Sequence, residues 1–188
     1  ISELFGMVNN QSDTLYQINR SVYSLLRYGR QGVKNASGHR RTVHYIDWEN
    51  IGKNDFFVAE EVSVLRFDKV TKKRPDVVLY INGIALGVFE LKSSYVSAGK
   101  GIRQLLQNQK RENILNFFAT AQFLFAGNES EGLSYGTINT QEKYYLKWKE
   151  DQKATDDLSA EIKLLQVTET NRLRDGVVSL CQKERFLS

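Results

Sequence analysis

The stretch RPDVVLYINGIALGVFELK, residues 74–92, decides the fold. Two runs of apolar and β-branched residues, 76–81 and 84–93, meet at Asn82-Gly83, the strongest short-range signal for a β-hairpin. Strand alternation sends Glu90 and Lys92 to one face and Phe89 and Leu91 to the other. The single proline, Pro75, lacks an N–H and suits the start or edge of a strand. It therefore marks where the hairpin opens and presents Asp76. With a strict two-residue loop and regular pairing, Ile81 faces Ile84 and Asp76 falls opposite Phe89, turned away from Glu90. Bringing the two carboxylates to one face requires a bulge or a longer loop, and one is expected here.

Working outward, 188 residues with 41% hydrophobic and 26% charged content suffice for one globular domain with its own core. Cys181 is the only cysteine, which excludes an intrachain disulfide and a cysteine-built zinc cluster. A reducing, cytoplasmic setting is the simplest expectation. The longest apolar run, 77–91, is short and broken at Asn82-Gly83, so no membrane span and no membrane partner are expected. The chain starts at Ile1 without a basic and apolar leader, and reads as a piece of something longer.

Leu15, Ile18, Val22, Leu25 and Leu26 have the spacing of an amphipathic helix over 14–29, stopped by Gly29. From Arg27 to Ile46 five basic residues, two histidines and no acid read as a basic, loop-like segment. Residues 56–67 read as one strand, and a second basic cluster follows between Arg66 and Arg74. Residues 97–118 read as a helix with Ile102, Leu105 and Leu106 on its apolar stripe, and 122–126 as a further strand. Helical spacing recurs at Leu158, Ile162 and Leu165, and at Leu173, Val177 and Leu180. The order helix, strand, hairpin, helix, strand is that of an α/β layered domain with a mixed sheet.

Asp76 with Glu90-Leu91-Lys92 resembles the PD-(D/E)xK nucleases, and more closely the N-terminal nuclease region of type I restriction enzyme restriction subunits. The resemblance extends through IDWEN (46–50), NDFFV (54–58), GIRQLLQNQK (101–110), FLFAGN, YGTI and YLKWKED. It implies a restriction-endonuclease-like α/β fold, a mixed β-sheet flanked by helices, with a nuclease domain over 1–149 (core about 14–140). Residues 150–188 would be a helical linker toward a motor domain outside this chain, leaving Leu173, Val177 and Leu180 exposed. Asp76, Glu90 and Lys92 would be catalytic. Asp76, Glu90 and the main-chain carbonyl of Leu91 would bind Mg²⁺, and Lys92 would steer the attacking water. The activity implied is metal-dependent hydrolysis of double-stranded DNA, coupled to ATP only through the motor domain, in a complex with modification and specificity subunits.

The residues support that chemistry independently. Two carboxylates about 4 Å apart repel by roughly 4 kcal/mol at an effective dielectric of 20, which an oxygen-seeking dication removes. Phosphate contacts are expected from Lys72, Lys73 and Arg74, and DNA or site contacts from Gln104 and Gln107. Related nucleases carry Gln-x-x-x-Tyr on this helix, but here Asn108 and Arg111 stand four residues after the two glutamines. Either Glu60 or Glu61 could turn toward the site, although edge solvation is the simpler reading. The family often adds an acid from its first helix, for which Glu3 and Asp13 are the candidates. Asp151-x-Lys153 and Glu161-x-Lys163 read as solvated surface. Residues 97–101 lack phosphate-loop spacing, and His39 and His44 lack companion metal ligands. The competing readings are a stand-alone repair or junction nuclease of the same superfamily, and a catalytically idle DNA-binding or interaction module.

Overall fold

The computed structural model describes residues 2–10, 12–148 and 171–187. Helix α1 (Ser2–Val8) leads into α2 (Leu15–Tyr28), which begins with a reciprocal cap: the Thr14 hydroxyl accepts from Gln17 N–H, and the Gln17 side chain accepts from Thr14 N–H. Leu15, Ile18, Val22, Leu25 and Leu26 are all buried, as their spacing requires.

A six-stranded mixed sheet forms the centre, in the order β10-β9-β8-β7-β6-β3. Its strands are β3 (Phe56–Glu60), β6 (Val77–Ile81), β7 (Ile84–Leu91), β8 (Phe123–Asn128), β9 (Gly132–Gly136) and β10 (Leu146–Lys147). Only β7 and β8 run parallel, joined through α3 (Ala98–Asn108); all other neighbours are antiparallel. Helix α3 covers one face of β7 and β8, while α4 (Arg172–Leu180) packs on β8 and β9 and α5 (Lys183–Phe186) follows it. This is the expected sheet flanked by helices. Phe89 and Phe125 stack with ring centroids 4.3 Å apart on the face away from α3, and Phe123 reaches Phe186 of α5 at 5.2 Å.

The β6–β7 hairpin resolves the register question. Asn82 and Gly83 form a two-residue turn with φ of +51° and +78°, the left-handed pair that a tight hairpin demands and that Gly83 adopts without a Cβ penalty. Ile81 faces Ile84 and Tyr80 faces Ala85, but Leu79 faces Gly87, so Leu86 is an extra residue on β7. Beyond this bulge Val78 pairs with Val88 and Val77 with Phe89, and one further step places Asp76 opposite Glu90. The expected irregularity is therefore present, inside the strand rather than in the turn.

Four expectations need correcting. The basic segment is not a loop: β1 (Arg30–Lys34) and β2 (Arg40–Val43) pair as a fully exposed hairpin, where no buried face imposes alternation. The strand over 56–67 breaks after Glu60. Glu61 turns to φ +48° and gives its N–H to the Asp76 carbonyl, and a separate small hairpin of β4 (Val64–Leu65) and β5 (Lys72–Lys73) follows. Helix α3 stops at Asn108 rather than running to 118, because side-chain amides intercept its final carbonyls: Gln109 donates to Leu105 and Asn113 to Gln107. Finally, Leu173, Val177 and Leu180 do not stand exposed. Leu180 is buried, the other two are partly buried against the core, and Trp148 Nε1 donates to Ser179 of α4. The helical spacing at Leu158, Ile162 and Leu165 lies outside the described residues.

Candidate active site

Asp76, Glu90 and Lys92 converge where β6 begins and β7 ends. Glu90 points toward α3 and is fully buried, the only carboxylate in that state among the described residues. Its Oε1 accepts from Asn108 Nδ2 at 3.3 Å, whereas its Oε2 has no hydrogen-bond partner. Asp76 is anchored through Oδ2, which accepts the Leu91 N–H at 2.6 Å. That contact depends on the register set by the Leu86 bulge. The Lys92 ammonium lies 3.6 Å from Glu90 Oε2 and 3.8 Å from Asp76 Oδ2, and donates to the Leu91 carbonyl at 3.0 Å.

One cationic nitrogen thus sits at the focus of the three oxygens expected to hold a metal ion. The donor set is all oxygen, as a hard dication requires, and Glu90 Oε2, buried and accepting no hydrogen bond, has the Lys92 ammonium as its nearby cation. Burial, and next the Asp76 carboxylate, push the Glu90 pKa up to about 7. The fit rests on two carboxylates and a carbonyl: among the described residues no three His, Cys, Asp or Glu side chains gather as a metal cluster.

Helix α3 reaches this close because of Gly101. A Cβ built there would lie 2.7 Å from the Glu90 carbonyl oxygen and 3.2 Å from Ala126 Cβ. Asn108, two turns further along the same stripe, then meets the Glu90 carboxylate. Sequence reasoning missed Asn108 as a site residue, although an amide on the stripe of Ile102 and Leu105 was an available signal.

The remaining candidates divide. Gln104 is half-buried on the α3 turn between Gly101 and Asn108, whereas Gln107 is exposed, and its carbonyl accepts from the Asn113 side chain and the Lys110 N–H. Lys72 and Lys73 form β5, and Arg74 pairs with Glu61 at 3.4 Å on the surface. Glu61 therefore faces Arg74 and solvent. Glu60 pairs with Val77, which puts it on the sheet face opposite Glu90. Glu3 is held by Arg30 at 2.7 Å, and Asp13 by Asn10. Asp151-x-Lys153 and Glu161-x-Lys163 lie outside the described residues.

A mixed sheet with an acid, acid, lysine cluster at one end, flanked by helices, is the arrangement of a restriction-endonuclease-like domain. Residues 3–143 match the family model of the type I restriction enzyme R protein N terminus, and the chain belongs to that family. A Methanocaldococcus jannaschii protein named for the type I restriction enzyme MjaIXP endonuclease subunit is 32% identical over 143 residues, 72% of this chain and 13% of that protein. The Haemophilus influenzae type I restriction enzyme HindI endonuclease subunit is 26% identical over 136 residues, 70% of this chain and 12% of its own length. The chain thus spans about one eighth of the curated relatives it matches. Among the described residues, no helix is long and apolar enough to cross a membrane.

Proposed function

We propose that this chain is the endonuclease domain of a type I restriction subunit, hydrolysing phosphodiester bonds of double-stranded DNA at a Mg²⁺ site formed by Asp76, Glu90 and the Leu91 carbonyl. The observation that carries this reading is the Lys92 ammonium seated among those three oxygens, one of them a buried Glu90 Oε2 that accepts no hydrogen bond. When bound, the dication supplies Lewis-acid charge and lowers the pKa of coordinated water.

The chain's own residues do the rest. Asp76 is fixed by the Leu91 N–H, so its carboxylate is oriented before any ligand arrives. Asn108 occupies Glu90 Oε1 and leaves Oε2 directed at the Lys92 ammonium. Lys92, 19% exposed, can release its carbonyl contact and turn to the scissile phosphate, where its charge offsets the negative charge that builds as water oxygen bonds to phosphorus. The phosphorus–oxygen bond to the leaving sugar then breaks, giving one phosphate monoester end and one hydroxyl end.

The same reading assigns phosphate contacts to Lys72, Lys73 and Arg74. ATP-driven translocation belongs to a motor domain outside this chain, the modification and specificity subunits are the other partners, and the cytoplasm is the place of work. Calorimetric titration with Mn²⁺ tests the metal centre. Wild-type chain should bind one ion and Glu90→Ala none; no binding by the folded wild type would leave an idle interaction module.

A further inference from the structure

The β4–β5 hairpin carries a combination that the catalytic cluster does not use. Between Arg66 and Arg74 there are five basic residues and one acid, and that acid is spent inside the turn. Asp68 accepts from the Thr71 hydroxyl at 2.5 Å and from the backbone N–H groups of Val70 and Thr71, both at 2.9 Å. Arg66 and Thr71 close the tip through their backbones, with Lys69 at φ +56°, and Phe67 N–H donates to the Asn113 carbonyl at 3.0 Å. The tip is therefore pre-formed and fastened to the segment after α3.

This fixed tip holds two apolar side chains out to solvent: Phe67 is 61% and Val70 79% exposed. Around them stand exposed Lys69, Lys72 and Arg74, and the Arg111 guanidinium lies 5.9 Å from the Phe67 ring. Exposed apolar groups on a rigid, basic tip have the chemistry of an element that grips phosphates and presses a wedge between base pairs. Only Arg74 and Pro75 separate β5 from Asp76, so the strand that descends from the tip leads directly into the acid, acid, lysine cluster. An acidic protein surface would answer the charges but would not call for the wedge.

We propose that the β4–β5 hairpin is a DNA-bending wedge, in which Lys69, Lys72 and Arg74 hold phosphates on both sides of a base step and Phe67 and Val70 insert into it. The proposal rests on the nuclease reading for its substrate, yet its test reads no cleavage. The full chain is mixed, with Ca²⁺ as the divalent cation, with a short duplex carrying 2-aminopurine at successive positions and a fluorophore pair at its ends. Wild type should raise 2-aminopurine emission at one step and bring the ends together.

The double variant Phe67→Ser/Val70→Ser, altered only at exposed positions, should bind within about threefold of wild type while losing both signals, because phosphate contacts carry most of the affinity. Lys69→Ala/Lys72→Ala should weaken binding about tenfold or more and lower the salt slope by about 2. Unchanged 2-aminopurine and end-to-end signals in the serine variant would overturn the wedge, as would failure of wild type to bind the duplex. Competition by polyglutamate as strong as by DNA would also overturn it, and would assign the hairpin to an acidic protein surface. Bending without Mn²⁺ binding would refute the nuclease reading alone; Mn²⁺ binding without bending would refute the wedge alone.

Discussion

Replacing Glu90 by Gln should make the protein more stable while removing the proposed metal site. Glu90 is fully buried, and burial together with Asp76 raises its pKa from 4.5 to about 7. Its folded-state pKa exceeds its unfolded-state value, so below pH 4.5 the group is protonated in both states and costs nothing. Between pH 4.5 and 7 the unfolded chain loses the proton first and stability falls with rising pH. Above pH 7 the loss levels off at about 3 kcal/mol, from about 1.4 kcal/mol per pH unit of separation.

Glutamine carries no charge and keeps an acceptor for the Asn108 amide. Urea unfolding in EDTA at pH 8 should therefore show Glu90→Gln more stable by about 2–3 kcal/mol, with a melting temperature about 5–10 °C higher. At pH 5 the gap should shrink to about 1 kcal/mol or less. Adding Mn²⁺ should stabilise wild type in proportion to the logarithm of its concentration and leave the variant unmoved. A Glu90→Gln protein that is less stable than wild type at pH 8, or whose advantage does not depend on pH, would show that Glu90 is not a destabilising buried charge.

The site was legible to different depths, for physical reasons that differ residue by residue. Alternation along β7 puts Glu90 and Lys92 on one face and Phe89 and Leu91 on the other, and period-two geometry leaves no freedom there. The need for an extra residue was also legible, because two carboxylates on opposite faces cannot share a cation. Its position at Leu86 was not, since every residue from Ile84 to Val88 is apolar or glycine and any could be squeezed out of the ladder. Asn108 escaped because its partner lies 18 residues away across a helix-to-strand contact that only Gly101 permits. The β1–β2 hairpin has no buried face, so its sequence carries no alternation to read. For α4, amphipathic spacing revealed an apolar stripe but not its partner, which is this chain's own β8 and β9.

Further outcomes follow from single contacts. Gly101→Ala forces a methyl to 2.7 Å from the Glu90 carbonyl oxygen and should cost about 1–3 kcal/mol in denaturant unfolding, with weaker Mn²⁺ binding by calorimetry. Deleting Leu86 removes the bulge and turns Asp76 from Glu90, so a chain that still folds by circular dichroism should bind no Mn²⁺. Leu180→Ala, at a position 6% exposed, should cost about 2–4 kcal/mol in the same unfolding assay if α4 is part of the domain core.

The proposed function assigns DNA cleavage to Asp76, Glu90 and Lys92. Its most direct test is plasmid cleavage by the complete restriction complex, supplied with ATP and Mg²⁺, with Asp76→Ala in the restriction subunit. Asp76 contributes half of the carboxylate pair and is 38% exposed at the side chain, so its loss should leave folding and ATP hydrolysis intact. ATP consumption should continue and no cut plasmid should accumulate; cleavage at the wild-type rate would remove Asp76 from the active site.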